Sequence, residues 1–400
     1  MIGGKQLQMK CIKMAFTDDD LYNFSMAWAY QKWPDILVRY RYKNRMKDFR
    51  FSPGIDKVVA KQCEMCEELT LSAQEEDFLS TMKWYPRTFL NSLRGTRFNH
   101  KAVSVWMKDD MLNIEITGYP YEVVFWECTL LPIITQLVNM NWVTGQMNEM
   151  APDWKDRIRR KADELAAAKV NWIDFGTRRR YSTEVHNSVV EIMKDYAPYF
   201  RGTSNVYLAM LHNIRAAGTY AHQYEQFMQA IYGPRMASLK AMEHWVTTYH
   251  GNLGTALSDT LTTDYFLRVF DTYFANLFQG VRQDSGDPFV FADKMIDHYK
   301  KLGIDPMTKV IVFSDSLDVN KAIRLNKYCK DFIRCTMGIG THLTADVGYQ
   351  PMNHVIKMTD VFFQNEWIPV VKLSDDKGKH IGDEETIQHV MRELRINTLT

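Results

Sequence analysis

From residue 170 onward the chain alternates short apolar runs with longer helical stretches, and every run stops at Gly, Asp, Ser, Thr or His. Strand–helix alternation of this kind calls for a parallel sheet with crossover helices. The stops are Asp174-Phe175-Gly176-Thr177, Gly202-Thr203-Ser204-Asn205, Gly218-Thr219-Tyr220-Ala221-His222, Ser258-Asp259-Thr260, Arg282-Gln283-Asp284-Ser285-Gly286-Asp287, Ser314-Asp315-Ser316 and Gly338-Ile339-Gly340-Thr341. Helical spacing fills 184–197, 206–215, 224–249, 262–278, 289–302 and 318–330 between them. Seven units with polar chemistry at each strand's C-terminal end predict an irregular α/β barrel whose loops build one site. A doubly wound open sheet is the alternative, but its crevice draws on fewer strand ends.

The first 150 residues read differently. Thr17-Asp18-Asp19-Asp20 opens a helix that Pro34 stops, with acids suited to capping and to the helix dipole. Residues 36–42 alternate as a strand with one wet face, and 56–82 read as a helix broken near 71–72. A short helix spans 86–93, and a hairpin joins 102–108 to 111–117 at Asp109-Asp110. The apolar stretch 120–141 has helical spacing interrupted by Pro132, and 153–169 is a charged amphipathic helix. After residue 345 two strands, 354–359 and 368–373, flank Asn365, and a helix follows at 385–394. The expected division is an α+β domain at 1–150, the barrel with the site at 151–344, and a segment at 345–400 that packs back on the first domain.

Charge narrows the partners. With 49 basic and 48 acidic residues, net +1, no global field recruits nucleic acid or an anionic membrane. No stretch approaches the roughly 20 apolar residues of a span, and residues 1–14 lack a signal peptide's apolar centre, so the expectation is a cytoplasmic protein. Six cysteines in 400 residues make no disulfide framework, and Cys63-Glu64-Met65-Cys66 reads as ordinary thiols.

Attraction for an anion must then be local. Arg178-Arg179-Arg180 follows an apolar run and precedes a helix, which is an anion site in the making, although an isolated triple Arg is as often a solvated run. His222 at a strand end can shuttle protons or act as a nucleophile, though a lone His is more often a satisfied group. No second His or Cys stands at a ligand spacing, so zinc is not expected. Arg282 and Asp284 alternate on one strand and face the same way. Asp284, Asp287 and Asp315 could hold a sugar diol or Mg²⁺, while Asp287, just before Pro288, reads as a helix cap. Gly338, Gly340 and Thr341 form a turn whose amides can approach a phosphate. This inventory suits a phosphorylated sugar that carries a leaving group.

These motifs, with Phe313-Ser-Asp-Ser-Leu-Asp318 and Lys372-Leu-Ser-Asp375, resemble the nicotinate phosphoribosyltransferases from about Thr17 to about Gly378. The resemblance implies a type II phosphoribosyltransferase fold, with a seven-stranded α/β barrel and an α+β domain built from both chain ends. It implies that nicotinate and 5-phosphoribosyl 1-pyrophosphate give nicotinate mononucleotide and pyrophosphate, the first step of NAD salvage. It also implies coupling to ATP hydrolysis through a phosphohistidine, and a need for Mg²⁺. Carried over by position, His222 is the phosphorylated residue and Phe175 stacks on the pyridine ring. Tyr22 covers the other ring face, and Asp20 beside it binds phosphoribosyl pyrophosphate; in relatives this segment can come from a second subunit, so a homodimer is an option. Thr219 and Arg282 contact nicotinate, and Arg178, Arg179 and Arg180 serve the pyrophosphate or the carboxylate. Asp284 and Asp315 hold the ribose hydroxyls, and Gly338, Gly340 and Thr341 the 5-phosphate.

Ser204 bears on substrate choice. Related nicotinamide enzymes carry Asp there, and an Asp about 4 Å from a carboxylate costs about 4 kcal/mol, so Ser204 favours the acid. Asn23 departs from the Lys usual in the family and removes a cation. The same fold could serve nicotinamide or quinolinate. A barrel lyase or isomerase would want Lys or Glu at a strand end, and none of the seven stops offers Lys. A non-catalytic relative would have been favoured by loss of His222 or Arg282.

Overall fold

A computed structural model describes residues 9–140, 150–376 and 379–396. Its strands are β1 (Leu37–Asn44), β2 (Val103–Lys108), β3 (Met111–Gly118), β4 (Trp172–Asp174), β5 (Phe200–Thr203), β6 (Thr255–Leu257), β7 (Gly280–Gln283), β8 (Val310–Phe313), β9 (Arg334–Ile339), β10 (His354–Phe363) and β11 (Glu366–Pro369). They form two sheets. The first is antiparallel in the order β11-β10-β1-β3-β2. Strand β1 is its centre, with Val38 and Tyr40 buried, and pairs with β3 on one side and β10 on the other. The last two strands of the chain thereby join the first three. Both hairpins turn on two left-handed residues, Asp109 and Asp110 in one and Gln364 and Asn365 in the other, the backbone that a tight right-twisted hairpin needs.

The second sheet is parallel and six-stranded, in the order β5-β4-β9-β8-β7-β6. The expected seven-stranded closed barrel is corrected here: among the described residues the ladder stays open between β5 and β6. Residues 216–219 lie in that gap. They make one bridge, Thr203 with Ala216, and reach β6 through the Thr219 hydroxyl, which donates to Thr255 O. The segment is closely packed on both sides. A Cβ on Gly202 would lie 2.1 Å from Arg215 O, and one on Gly218 3.3 Å from Tyr22 N, so this segment is pressed on the helix Leu21–Tyr30.

Helix boundaries differ from expectation where backbone chemistry intervenes. The stretch 224–249 divides at Gly233, φ +75°, into His222–Tyr232 and Pro234–Tyr249. Pro132 does not interrupt its helix: Trp126–Asn139 runs through it, and the break falls ahead at residues 124–125. Apolar packing on nearly every side holds that helix despite the lost hydrogen bond. Pro120–Asn139 is the one described stretch long and apolar enough to cross a membrane, and 83% of its most apolar window is packed inside the protein. Asn141, expected at its end, lies outside the described residues.

Candidate active site

His222 is the first residue of its helix and faces two strand ends at once. Its Nε2 lies 2.9 Å from Asp259 Oδ1, past the end of β6, and 3.7 Å from Asp284 Oδ2, past the end of β7. The other Asp259 oxygen accepts from Ser285 Oγ at 2.6 Å and pairs with Lys372 Nζ at 2.9 Å. Burial and the nearby Lys372 push the His222 pKa down to about 4, outweighing the pull of Asp259. The imidazole is therefore neutral at pH 7. Asp259 accepts only, so the proton sits on Nε2 and Nδ1 keeps its lone pair. Burial alone would raise Asp259, but Lys372 and His222 hold it well below the usual carboxylate range. Arg282 does the same for Asp284, across 3.1 Å.

Asp284 connects this cluster to the rest. Arg282 Nε donates to Ser314 Oγ at 2.8 Å, and Ser314 Oγ donates to Asp284 at 2.8 Å. Lys379 Nζ reaches the Asp284 backbone carbonyl at 3.4 Å and the Asp315 carboxylate at 2.5 Å, so one cation ties the two strand ends together. The Arg282 guanidinium stands 5.8 Å from the centre of the Phe175 ring. Phe175, Thr219 and Arg282 line a cavity of about 840 Å³ on the concave side of the parallel sheet.

The three consecutive arginines part company. Arg178 lies 3.4 Å from the buried Glu127, which also accepts from the Tyr22 hydroxyl at 3.2 Å and pairs with Lys357 at 3.7 Å. Arg179 donates to His354 O, and burial with Arg178 and Arg45 alongside pushes its pKa down to about 10. Arg180 is turned inward. It makes two 2.7 Å bonds to Asp18, both side chains fully buried, so its expected contact with an anion is corrected to a structural one. The expected capping roles of Asp18 and Asp19 change with it: Asp19 accepts from Lys13 at 3.1 Å and from Asn23 at 2.7 Å. Asn23 thus faces Asp19, and Lys13 supplies the cation there.

Three further expectations shift. A Cβ on Gly338 would meet the Phe175 ring at 2.4 Å, so this glycine makes room for the ring. Gly340 and Thr341, half-buried, stay at the turn beyond β9. Ser204 is buried and donates to Asp20 at 2.6 Å; neither lines the cavity. The Tyr22 hydroxyl is also 3.0 Å from Cys128 Sγ, and within this chain the residue lies off the cavity lining.

Sequence reasoning gave no role to Asp259, Lys372, Glu127, Lys357, Arg45 or Lys379. Asp259 and Lys372 each stood inside a quoted motif, which was the available signal. None of the seven stops carries Lys, but Lys372 reaches Asp259 at one of them from beyond the parallel sheet.

The inner face of the sheet is unusual. Ile173, Val310, Val312 and Thr336 point into the cavity and stay half-buried, while Trp172, Ile311, Phe313 and Met337 between them are buried behind the sheet. A barrel interior is ordinarily filled by side chains. Here it is hollow, at a cost in burial that points to a ligand.

Known proteins match this chain along its length. The nicotinate phosphoribosyltransferase family model matches residues 170–398, and the model of that family's N-terminal domain matches 17–135. A nicotinate phosphoribosyltransferase of Desulforapulum autotrophicum is 39% identical, over 94% of this chain and 97% of its own. That of Chromohalobacter salexigens is 38% identical, over 95% and 98%. The crystal structure of the nicotinate phosphoribosyltransferase from Porphyromonas gingivalis superposes with a TM-score of 0.91 at 37% identity, covering 96% of this chain and 99% of the other. The one from Vibrio cholerae gives 0.89 at 31%, covering 97% and 94%. On fold, length and sequence together, the chain belongs to the nicotinate phosphoribosyltransferase family.

Proposed function

We propose that the chain transfers the 5-phosphoribosyl group of 5-phosphoribosyl 1-pyrophosphate to the ring nitrogen of nicotinate, releasing pyrophosphate, with ATP hydrolysis coupled through His222. The observation that carries this reading is a neutral, buried His222 beside Asp284, one side chain away from a cavity lined by Phe175 and Arg282. Nδ1 of His222 attacks the γ-phosphorus of ATP, the bond to ADP breaks, and the proton stays on Nε2, hydrogen-bonded to Asp259. The phosphate adds negative charge that Lys372 is placed to answer.

The glycosyl step needs no strong base, because the pyridine nitrogen has its own lone pair. Phe175 orients the ring and Arg282 takes the carboxylate. Thr219 lines the same cavity but has spent its hydroxyl proton on Thr255 O, so it offers nicotinate an acceptor only. Positive charge grows on the ribose as the C1–oxygen bond breaks, and the ionised Asp284 with Asp315 stabilises it. Arg45, Arg178, Arg179 and Lys379 surround the departing pyrophosphate, with Gly340 and Thr341 at the 5-phosphate. Asp284 and Asp315 offer the hard oxygens that Mg²⁺ prefers, and bound Mg²⁺ would neutralise pyrophosphate charge. A cytoplasmic setting suits six free cysteines.

Choice of acid over amide rests on Arg282 and on a cavity lining without Asp or Glu, more than on Ser204, whose neighbour Asp20 is itself a carboxylate. Incubation with phosphoribosyl pyrophosphate, Mg²⁺ and ATP should convert nicotinate at least about a hundredfold faster than nicotinamide. Equal rates, or faster use of the amide, would refute the assignment.

A further inference from the structure

The hollow has a far mouth. Its lining continues from Phe175 and Arg282 down to residues at the N-terminal edges of the strands, among them Asn171 before β4, Thr255 at the start of β6 and Val310 at the start of β8. Six cations ring that edge: Lys169, Arg201, Arg215, Lys327, Lys330 and Arg334, all exposed. With Arg282 they make seven basic lining residues and no acidic one, in a chain with 49 basic and 48 acidic residues. None of the six takes part in an ion pair among the described residues; Arg201 and Arg334 only brace neutral oxygens, of Asn171 and of Thr308. Between rim and ring the walls are Ile173, Ala217, Val312 and Ile323.

We infer that nicotinate reaches its pocket through this far mouth, drawn by the basic rim, while the phosphorylated substrates arrive at the strand C-terminal face. The inference rests on the activity proposed above and adds the path. A flat ring with one carboxylate suits a cationic rim leading to an apolar neck and then to Arg282. A sugar carrying several phosphates does not, because the neck would strip its hydration without offering charge. Its cations, Arg45, Arg178, Arg179 and Lys379, are grouped about Asp284 and Asp315 on the other side. Two mouths let nicotinate associate while the sugar phosphate and ATP are already seated.

Steering by a charged rim acts on association rates and fades with salt. The test is the association rate of carbon-14 nicotinate, by rapid mixing with phosphoribosyl pyrophosphate, Mg²⁺ and ATP already bound, at low and at physiological ionic strength. In the unaltered protein the rate should fall as salt rises. In Lys327→Glu/Lys330→Glu, two exposed positions, the low-salt rate should drop about tenfold and its salt dependence flatten or reverse. Saturated turnover and the KM for phosphoribosyl pyrophosphate should not change. An unaltered nicotinate rate overturns the path, as does an equal slowing of phosphoribosyl pyrophosphate. Turnover by the unaltered protein is the control for the activity itself: if present, those results overturn the path alone, and if absent, both inferences fall.

Discussion

Replacing His222 with alanine removes the stimulation by ATP and leaves a basal transfer of the phosphoribosyl group. The separation follows from where the imidazole stands. Its Nε2 is bonded to Asp259, whose second oxygen is already shared by Ser285 and Lys372, so His222 is the free end of a fixed chain of charges. Nothing in the glycosyl step uses its lone pair. Steady-state rates with and without ATP should therefore converge in the variant. The pH dependence carries the same signature. An ordinary histidine would lose its lone pair below about pH 6.5, whereas this one, held down to about 4, keeps it. ATP stimulation in the parent protein should not show a histidine limb between those values. Stability has the same sign: from pH 6.5 down to about 4 the unfolded chain binds a proton that folded His222 refuses, so its contribution is present above the unfolded pKa and is lost across that window. Stimulation that survives the substitution would place the phosphorylated group elsewhere.

Arg282→Ala has the second large effect, and its diagnostic part is the loss of selectivity. The guanidinium stands near the Phe175 ring, is braced by Ser314 and Asp284, and is the one cation at the inner end of the cavity. Removing a buried cation that pairs with a substrate carboxylate costs about 2–5 kcal/mol, roughly thirtyfold to several thousandfold in kcat/KM for nicotinate. The ionised Asp284 loses its balancing charge in the same stroke. The amide, which carries no charge, should lose far less, so the ratio of acid to amide turnover collapses toward one. Measuring kcat/KM for both ring substrates tests this. An intact ratio in a weakened enzyme would mean that Arg282 supports the fold and not the carboxylate.

How far the sequence foretold this site depends on the distance over which each residue finds its partner. Strand ends, alternation and hairpin turns are local, so the parallel sheet, the β2–β3 turn at Asp109-Asp110 and the grouping of Phe175, His222, Arg282 and Asp284 could be read directly. Ladder closure could not, because residues 216–219 pack against Gly202 and the first helix, contacts that no local pattern records. Arg180 looked like its two neighbours until Asp18, 162 positions away, claimed it. Gly338 looked like a phosphate turn because no pattern shows that the Phe175 ring occupies the space above it. Lys372 and Asp259 were visible as motif members, but their 2.9 Å pairing joins a segment after the sheet to a loop within it.

Incubating the protein with ATP labelled at the γ-phosphate and mapping the acid-labile label tests the central geometry most directly. The expected result is one phosphorylated residue, His222, bonded through Nδ1, with the label lost in His222→Ala. A label on any other residue, or attachment through Nε2, would contradict it.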